Sequence, residues 1–389
     1  MSDGPRPQPP QIAIEIFGKT DVGLIREHNE DNFLIADVTA GVRTNDGKAT
    51  LPVKLGDKGA LLLVCDGMGG AAAGEVASQM AVDVIYESLA AGEPMERDPF
   101  ARLVRRAVER ANERIFIQSR DNQSERGMGT TCTVAALVDA TLVVGQIGDS
   151  RCYVLREGKL AQVTKDQSLA WQLIEAGAMT PEEAKAFEHA NIILQALGVQ
   201  ERVEVVLSQV DLRKGDVALL CSDGLHGPVT DEELLAVLVM EPDLEKAADM
   251  LIQKALDRDG PDNITVVLAR FDGVDLKPPA PEDVITFVGY DPGNDPLPEL
   301  PLSPDPPTRE LEAALPGALF NSEDVVTKAD PGQPPTSARS GRASAPMRGA
   351  RSLMAFFFVA LLAAAAGGIL VMKCERDQAA RGDSPTAGP

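Results

Sequence analysis

The chain has 389 residues, enough for one large domain or two ordinary ones, and 44% of them are apolar while only 4% are aromatic. Its formal net charge of -22 is strongly acidic. A surface of this sign repels polyanions, and we find no concentrated basic patch in the first 270 residues. The composition therefore excludes a nucleic-acid-binding protein and is that of a globular domain with an attached segment.

The cysteines and the N-terminus indicate the compartment. Five cysteines, an odd number, occur without the CxxC or His/Cys spacing of zinc sites. Four of them lie in or beside apolar runs, which favours buried free thiols in a reducing compartment: Cys65, Cys132, Cys152 and Cys221. Residues 1–10 are a proline-rich leader without the apolar core of a secretory signal. We expect this leader to be disordered and the folded part to stay in the cytoplasm.

Residues 11–272 alternate between apolar runs and amphipathic runs, so they are predicted to form the folded domain. The strand-like runs are 12–17, 33–36, 60–65, 131–136, 142–147, 152–155, 203–210, 217–221 and 264–269. The helix-like runs are 74–89, 100–118, 169–176, 231–239 and 244–258. Most strands come in neighbouring pairs, which favours antiparallel sheets covered by helices over a doubly wound parallel sheet. The predicted fold class is α+β.

The periodic pattern ends at residues 273–350, which contain more than half of the chain's 28 prolines, mixed with acidic and small residues. Such a segment cannot bury enough apolar surface to fold, so we predict a disordered linker. Residues 352–372 carry no charge, and their length matches the ~20 residues that cross a bilayer as a helix. A buried core helix is the alternative, but it would follow a disordered linker with no domain left to bury it.

The charges beside the predicted transmembrane helix indicate its orientation. Four arginines precede it: Arg339, Arg342, Arg348 and Arg351. The positive-inside bias therefore favours a cytoplasmic N-terminal domain, with residues 373–389 as a short extracytoplasmic tail.

Four acidic motifs lie where strands would deliver their side chains to one edge of a sheet. They are Arg26-Glu27-His28-Asn29-Glu30-Asp31, Asp66-Gly67-Met68-Gly69-Gly70, Ser222-Asp223-Gly224 and Pro261-Asp262-Asn263. Clustered carboxylates repel one another unless cations neutralise them, and oxygen ligands of this type suit Mg²⁺ or Mn²⁺. Two such ions can bridge a water, lower its pKa and present it to a phosphorus centre. Taken singly, each motif is equally compatible with a turn, because Asp-Gly is a common turn dipeptide.

Six segments in sequence order make a family resemblance specific. They are VGLIREHNEDNF, LLLVCDGMGGAAAGEVAS, GMGTTCTVAAL, VGQIGDSRCYVLREGKL, LLCSDGLHGPVT and PDNITVVLARF. Over residues 12–271 the series resembles the successive motifs of the protein phosphatase 2C family, the metal-dependent protein phosphatases, in its bacterial form. The resemblance implies an αββα sandwich, in which two antiparallel sheets pack face to face with helices outside.

The resemblance also implies the ligands of two Mn²⁺ or Mg²⁺ ions. Asp66 would be the carboxylate that bridges both metals. Asp223 and Asp262 would complete the first metal site. Glu30 and the carbonyl of Gly67 would complete the second.

Three further residues match positions with roles in the family. Asp31 would act on a metal through water. Asp149 matches the aspartate of a third, looser metal site, although a capped turn after a strand is the alternative. Arg26 matches the arginine that binds the substrate phosphate, a bidentate task that suits a guanidinium, and its alternative is a surface salt bridge.

The chain departs from the family at the positions of two histidines. Many relatives have a histidine in or just after the DGMGG motif as a proposed general acid, and this chain has Met68 and Ala71 there. His28 could approach the site, but a lone histidine is more often an ordinary hydrogen-bonded residue. His189 and His226 are weaker candidates. A metal-bound water is therefore expected to protonate the leaving oxygen.

Residues 163–198 resemble a flap beside the active site of the family. Gln167 replaces a frequent histidine, which puts the substrate preference in doubt rather than the reaction. Trp171, the only tryptophan, is predicted to be a packing residue of this flap.

The sequence thus predicts a metal-dependent hydrolase of phosphoserine and phosphothreonine in proteins, which would oppose Ser/Thr kinase signalling at the bacterial cell membrane. Phosphorylated proteins, including a Ser/Thr kinase and its substrates, are the expected partners. One alternative is a catalytically weak pseudophosphatase. Another is a membrane-tethered scaffold that docks partners through the proline-rich residues 297–308.

Overall fold

The structure is a computed structural model that describes residues 10–69, 73–185, 187, 189 and 192–297. The strands are β1 (Ile12–Asp21), β2 (Asn32–Asp37), β3 (Val42–Thr44), β4 (Lys48–Lys54), β5 (Ala60–Cys65), β6 (Gly67–Met68), β7 (Gly129–Thr130), β8 (Cys132–Val138), β9 (Thr141–Ile147), β10 (Arg151–Arg156), β11 (Lys159–Gln162), β12 (Val206–Asp211), β13 (Val217–Cys221) and β14 (Ile264–Gly273). The helices are α1 (Ala73–Ala91), α2 (Arg97–Asp121), α3 (Leu169–Glu175), α4 (Pro181–Lys185), α5 (Asp223–His226), α6 (Asp231–Met240) and α7 (Leu244–Leu256).

Two six-stranded antiparallel sheets form the centre of the described part of the chain. Sheet one has the strand order β11-β10-β13-β14-β1-β4, and sheet two has the order β12-β9-β8-β5-β2-β3. Strands β6 and β7 pair separately as a two-stranded ribbon. Strands β8 and β9 pair as an antiparallel hairpin, as the spacing of the two predicted runs indicates. Strands β10 and β11 also pair as a hairpin, although no strand is predicted at residues 159–162.

Strand β5 shows how the layers are stacked, because it is buried along its whole length. Leu61 and Leu63 belong to the apolar core that sheet two shares with α1 and α2. Leu62 and Val64, on the opposite face, belong to the core between the two sheets. A third core packs α6 and α7 on sheet one. The layers are helix, sheet, sheet and helix, so the predicted αββα sandwich of two antiparallel sheets is confirmed.

Two helices that cover sheet one begin at capping residues. Thr230 and Glu233 form a reciprocal capping box at the start of α6. Asp243 accepts a hydrogen bond from the backbone N–H of Lys246 at the start of α7. Short elements such as β6, β7 and α5 are not predicted by the sequence pattern, because two to four residues contain no full period.

Residues 274–297, here called the C-terminal extension, pack on the domain although they fall in the predicted disordered linker. Arg213 donates two hydrogen bonds to Asp283, at 2.8 and 2.9 Å. The backbone N–H of Tyr290 donates to the carbonyl of Leu207 in strand β12 at 2.8 Å. Disorder is the wrong prediction for these residues, because their acidic and backbone groups find partners on the domain. The rest of the predicted linker lies outside the described residues.

Among the residues described, no helix has the length and apolar character needed to span a bilayer. The predicted transmembrane helix at 352–372 and the predicted tail at 373–389 lie outside the described residues, as do positions 1–9 of the predicted leader. These three assignments stay predictions.

Candidate active site

Four of the predicted aspartates lie next to strand ends at one edge of the sandwich: Asp66 after β5, Asp149 after β9, Asp223 after β13 and Asp262 before β14. Burial raises the pKa of Asp66 well above its ordinary value, and the negative charges of Asp31 and of the other three aspartates raise it further. The structure therefore brings the predicted carboxylates into one cluster, as the sequence motifs indicate.

Asp31 is almost fully buried, with 4% of its surface exposed. Its Oδ2 accepts hydrogen bonds from Ser222 Oγ and Thr265 Oγ1, both at 2.7 Å. Its Oδ1 is buried and has no hydrogen-bond partner among the described residues. Burial raises the pKa of Asp31 to about 7, although the two hydroxyl donors act in the opposite direction. A buried acceptor of this kind suits a cation or a water held by one.

A second unsatisfied carboxylate oxygen belongs to Asp223, the first residue of α5. Its Oδ1 is buried without a hydrogen-bond partner in the described part of the chain. Burial, followed by the charge of Asp262, raises the pKa of Asp223. Arg26 Nη2 donates to Asp262 Oδ2 at 2.6 Å, so the predicted phosphate-binding guanidinium lies at the edge of the cluster.

Glu30 and Gly67 meet at the start of helix α1. The N–H of Gly67 donates to the carbonyl of Glu30 at 3.1 Å. A Cβ atom placed on Gly74 would lie 2.8 Å from Glu30 Cδ and 2.9 Å from the carbonyl carbon of Gly67. Only glycine fits there, because any side chain would displace the two predicted ligands of the second metal site. The role of Gly74 is not predicted from the sequence, where it stands out only as a glycine at the start of a predicted helix.

The backbone of Asp66 is held by two threonines, Thr130 at the end of strand β7 and Thr131 between β7 and β8. Its N–H donates to Thr131 Oγ1 at 2.9 Å, and its carbonyl accepts from Thr131 N at 2.8 Å and from Thr130 Oγ1 at 2.9 Å. These threonines belong to the segment GMGTTCTVAAL, for which the sequence predicts no chemical role. Their contact with Asp66 depends on the pairing of β5 with β8, which a local pattern does not reveal.

Asn263 holds the loop that carries Arg26 and Glu30. Its Nδ2 donates to the carbonyls of Val22 and His28, both at 2.9 Å, and its Oδ1 accepts from Glu30 N at 2.8 Å. Asn263 belongs to one of the acidic motifs, but its sequence context predicts no role for it. Its three hydrogen bonds to one loop support both the predicted phosphate-binding residue Arg26 and the predicted metal ligand Glu30.

The predicted third-site residue Asp149 is buried, with 7% of its surface exposed. Burial and the charges of Asp223 and Asp166 raise its pKa to about 8. His226 Nε2 lies 3.0 Å from the backbone carbonyl oxygen of Asp149. His28 is exposed, and only its backbone carbonyl, which accepts a hydrogen bond from Asn263 Nδ2, has a described hydrogen bond. The ring of His226 therefore contacts the backbone of a predicted ligand.

The donor set suits a hard divalent cation. Within the described residues no three His, Cys, Asp or Glu side chains converge closely enough to hold a metal ion directly. The cluster nonetheless consists of oxygen donors, and two of its oxygens, Asp31 Oδ1 and Asp223 Oδ1, are buried and unsatisfied. Mg²⁺ and related ions keep several waters and bind through few carboxylates, so such a set fits them.

A cavity of about 790 Å³ opens beside Asp149, Asp223 and Asp262. Its lining also includes Trp171 and Ile174 of α3, in the segment that resembles the family's flap. The cavity has room for a phosphorylated side chain and its neighbours.

The sandwich and its edge of buried carboxylates define an α+β protein of the cation-binding hydrolase class. The sequence profile of the family described as "Protein phosphatase 2C" matches residues 40–259. "Serine/threonine phosphatase stp" of Listeria monocytogenes serovar 1/2a is 36% identical over 260 residues, which cover 65% of this chain and 94% of that protein. "Serine/threonine protein phosphatase PstP" of Mycobacterium tuberculosis is 40% identical over 258 residues, which cover 66% of this chain and 45% of that protein.

Solved structures agree with these sequence relatives. The crystal structure of the M. tuberculosis serine/threonine phosphatase PstP/Ppp superposes with a TM-score of 0.57 at 35% identity, covering 67% of this chain and 99% of that one. The catalytic domain of PstP in complex with two manganese ions superposes with a TM-score of 0.55 at 35% identity and the same coverage. The chain belongs to the protein phosphatase 2C family.

Proposed function

We propose that this protein is a metal-dependent phosphatase that hydrolyses phosphoserine and phosphothreonine in proteins. The observation that carries the proposal is the pair of buried, unsatisfied oxygens, Asp31 Oδ1 and Asp223 Oδ1, in a cluster centred on Asp66. The names of the relatives supply the substrate class. Two divalent cations at such a site supply positive charge for the phosphate and lower the pKa of water.

The residues of the cluster divide into two sets of ligands that share Asp66. Asp223 and Asp262 serve one cation, while Glu30 and the Gly67 carbonyl serve the other. The cations are Mn²⁺ or Mg²⁺, and the structure of a relative in complex with two manganese ions supports this assignment. Asp31 acts through water, and Asp149 serves a third, weaker cation.

Arg26 binds and orients the substrate phosphate. About half of its side chain is exposed, and one of its N–H groups is bonded to Asp262. The guanidinium has further N–H donors that are free to reach phosphate oxygens beside the carboxylates.

Water, rather than a histidine, protonates the leaving oxygen. The ring of His28 is exposed, and Nε2 of His226 faces the Asp149 carbonyl. Within the described residues neither imidazole forms a hydrogen bond with a carboxylate of the cluster, so a water on a cation is the proposed proton donor.

Hydrolysis of p-nitrophenyl phosphate and of a phosphothreonine peptide by the full-length chain tests the activity. Turnover should require Mn²⁺ or Mg²⁺, stop in EDTA and fall by at least ~10³-fold in Asp223→Asn. Turnover that survives EDTA, or equal turnover by the variant, would contradict the proposal. A pseudophosphatase or a pure scaffold is not favoured, because the full set of predicted ligands is retained in one cluster.

We further propose that residues 352–372 anchor the protein in the bacterial cell membrane with the domain on the cytoplasmic side, where a Ser/Thr kinase and its substrates are the partners. The support is the uncharged length of that segment and the arginines before it. Cell fractionation should place the full chain in the membrane and a chain that ends at residue 351 in the soluble fraction. Recovery of both chains in the same fraction would refute the anchor.

A further inference from the structure

The turn that carries Asp149 is packed tightly against the support of Asp66. Gly148 has φ = +92°, and a Cβ atom there would lie 2.7 Å from Thr131 Cγ2. The next residue but one, Ser150, shares a hydrogen bond of 2.8 Å with Thr131 Oγ1. Because Thr131 also bonds the backbone of Asp66, the position of this turn is tied to the predicted bridging ligand.

A second attachment comes from the helix of Asp223. His226, the last residue of α5, places Nε2 3.0 Å from the carbonyl oxygen of Asp149. Both attachments link the turn to residues that hold or neighbour predicted ligands.

The third attachment is Gln167, and it is reciprocal, whereas Gln146 Nε2 only donates to the turn, to the carbonyls of Gly148 at 3.1 Å and Ser150 at 2.6 Å. The N–H of Gly148 donates to Gln167 Oε1 at 2.9 Å, and the N–H of Gln167 donates to the carbonyl of Gly148 at 2.9 Å. One residue therefore satisfies both backbone groups of Gly148. Loss of Oε1 would leave a buried N–H without that acceptor, which is unfavourable enough to move the turn.

Gln167 also joins the two ends of the segment 163–198. Its carbonyl accepts from Leu194 N at 2.7 Å, and its Nε2 donates to the carbonyl of Glu204 at 3.3 Å. The adjacent Ser168 forms a β-bridge with Ile193. A movement of this segment can therefore be transmitted to the Gly148–Asp149 turn through Gln167.

We propose that Gln167 is a positioning residue that holds Asp149 in place to bind a divalent cation, and that it couples the segment 163–198 to this cation. The inference rests on the proposed function, since it takes Asp149 as a ligand. Gln167 is not one of the predicted ligands and would act only through the turn.

Gln195 provides a matched control in the same segment. Its Oε1 accepts a hydrogen bond from Glu204 N at 2.9 Å, and Glu204 is also a partner of Gln167. Gln195→Leu therefore removes a side-chain hydrogen bond to Glu204, as Gln167→Leu does. None of the hydrogen bonds of Gln195 that the structure describes involves the Gly148–Asp149 turn. Gln167→Leu removes the acceptor at the turn, whereas Gln167→Glu keeps one.

Calorimetric titration of the substrate-free, full-length protein with Mn²⁺ is the test. In Gln167→Leu the weakest Mn²⁺ site should lose about tenfold in affinity, the scale of one lost buried hydrogen bond, while the tighter sites are unchanged. Gln195→Leu and Gln167→Glu should bind Mn²⁺ at least as tightly as the wild type. Turnover of Gln167→Leu should fall at limiting Mn²⁺ and recover in excess Mn²⁺.

An unchanged Mn²⁺ isotherm in folded Gln167→Leu overturns the inference, and so does an equal loss in Gln195→Leu, which would indicate general loosening of the segment. A wild type that binds no Mn²⁺ would instead overturn the proposed function. If Gln167→Leu does not fold, Gln167→Asn, whose amide is one methylene shorter, takes its place with the same expected loss.

Discussion

Buried carboxylates dominate the chemistry of the site at the scale of single residues. Burial and neighbouring charges raise the pKa of Asp31 to about 7 and of Asp149 to about 8, and they raise that of Asp66 well above its ordinary value. Each side chain has lost water and faces other acids, so its ionised form is unfavourable until a cation neutralises it. Cation binding and stability are therefore linked.

Asp31→Asn should stabilise the metal-free protein at pH 8 more than at pH 5. Folding raises the pKa of Asp31 from 3.8 to about 7, so the folded state holds this proton more tightly than the unfolded chain does. The stability from that proton is present below about pH 4 and is lost as the pH rises towards 7. An amide keeps an acceptor for Ser222 and Thr265 without the charge.

Thermal unfolding in EDTA measures this effect. We expect Asp31→Asn to melt at least ~3 °C above the wild type at pH 8, with a smaller difference at pH 5. The exposed Asp57→Asn serves as the control and should show no such dependence. A difference that is the same at both pH values would contradict the prediction.

Asp66→Asn and His28→Ala should separate the metal ligands from the histidines. Asp66 lies among four other carboxylates, so its loss should lower kcat/KM by at least ~10³-fold. The ring of His28 is exposed, so its removal should change kcat/KM by less than ~3-fold. Steady-state kinetics with p-nitrophenyl phosphate decides, and a His28→Ala loss as large as that of Asp66→Asn would restore the histidine as general acid.

At the scale of elements, strands that are buried throughout follow directly from the sequence. β5, β8 and β9 are buried at every residue and are mostly apolar, although β8 includes Thr133 and β9 includes Thr141 and Gln146. By contrast, β4 alternates between buried and exposed residues at the edge of sheet one and was not predicted. The start of α1 is a further case, because its approach to Glu30 is visible only in three dimensions.

Gly74→Ala should weaken cation binding and also lower stability. Alanine is favoured over glycine in a helix by ~1 kcal/mol, but its Cβ would lie 2.9 Å from the backbone carbonyl carbon of Gly67, so the metal-free protein should melt below the wild type. The same methyl group would lie 2.8 Å from Glu30 Cδ. Calorimetry should then show at least about tenfold weaker Mn²⁺ binding.

Gly47→Ala is the control for that variant, because a Cβ atom there meets nothing within 4 Å. Its Mn²⁺ isotherm should match that of the wild type. Wild-type affinity in Gly74→Ala would mean that Glu30 is not a ligand.

At the scale of the whole molecule, the C-terminal extension closes the domain after its last strand. It bonds to Arg213, pairs beside the edge strand β12 and ends near α2, where Arg105 donates to Gly293 O at 2.7 Å. An edge strand without such cover is open to pairing with other chains. The extension is therefore part of the folded domain.

A chain that ends at residue 273 should be less stable than one that ends at residue 297. The shorter chain loses the Arg213–Asp283 pair and the cover of β12, so its melting temperature should fall by at least ~5 °C. Thermal unfolding of the two chains measures the difference, and equal melting temperatures would show that the extension adds nothing.

Two single substitutions refine this prediction. Arg213→Ala breaks a two-pronged, partly buried ion pair, whereas Lys214→Ala breaks an exposed one with Asp272. Only the first should lower the melting temperature measurably, because exposed pairs contribute little.

The amino-acid sequence by itself determined the order of the long strands and the four acidic motifs, because hydrophobic period and local motifs are properties of neighbouring residues. Asp149 was predicted only from the family resemblance. Only the tertiary structure decided which groups support these carboxylates. Asp31 meets Thr265, and Glu30 meets Gly74, through contacts between distant parts of the chain. Such contacts depend on strand pairing and on layer packing, which no local pattern records.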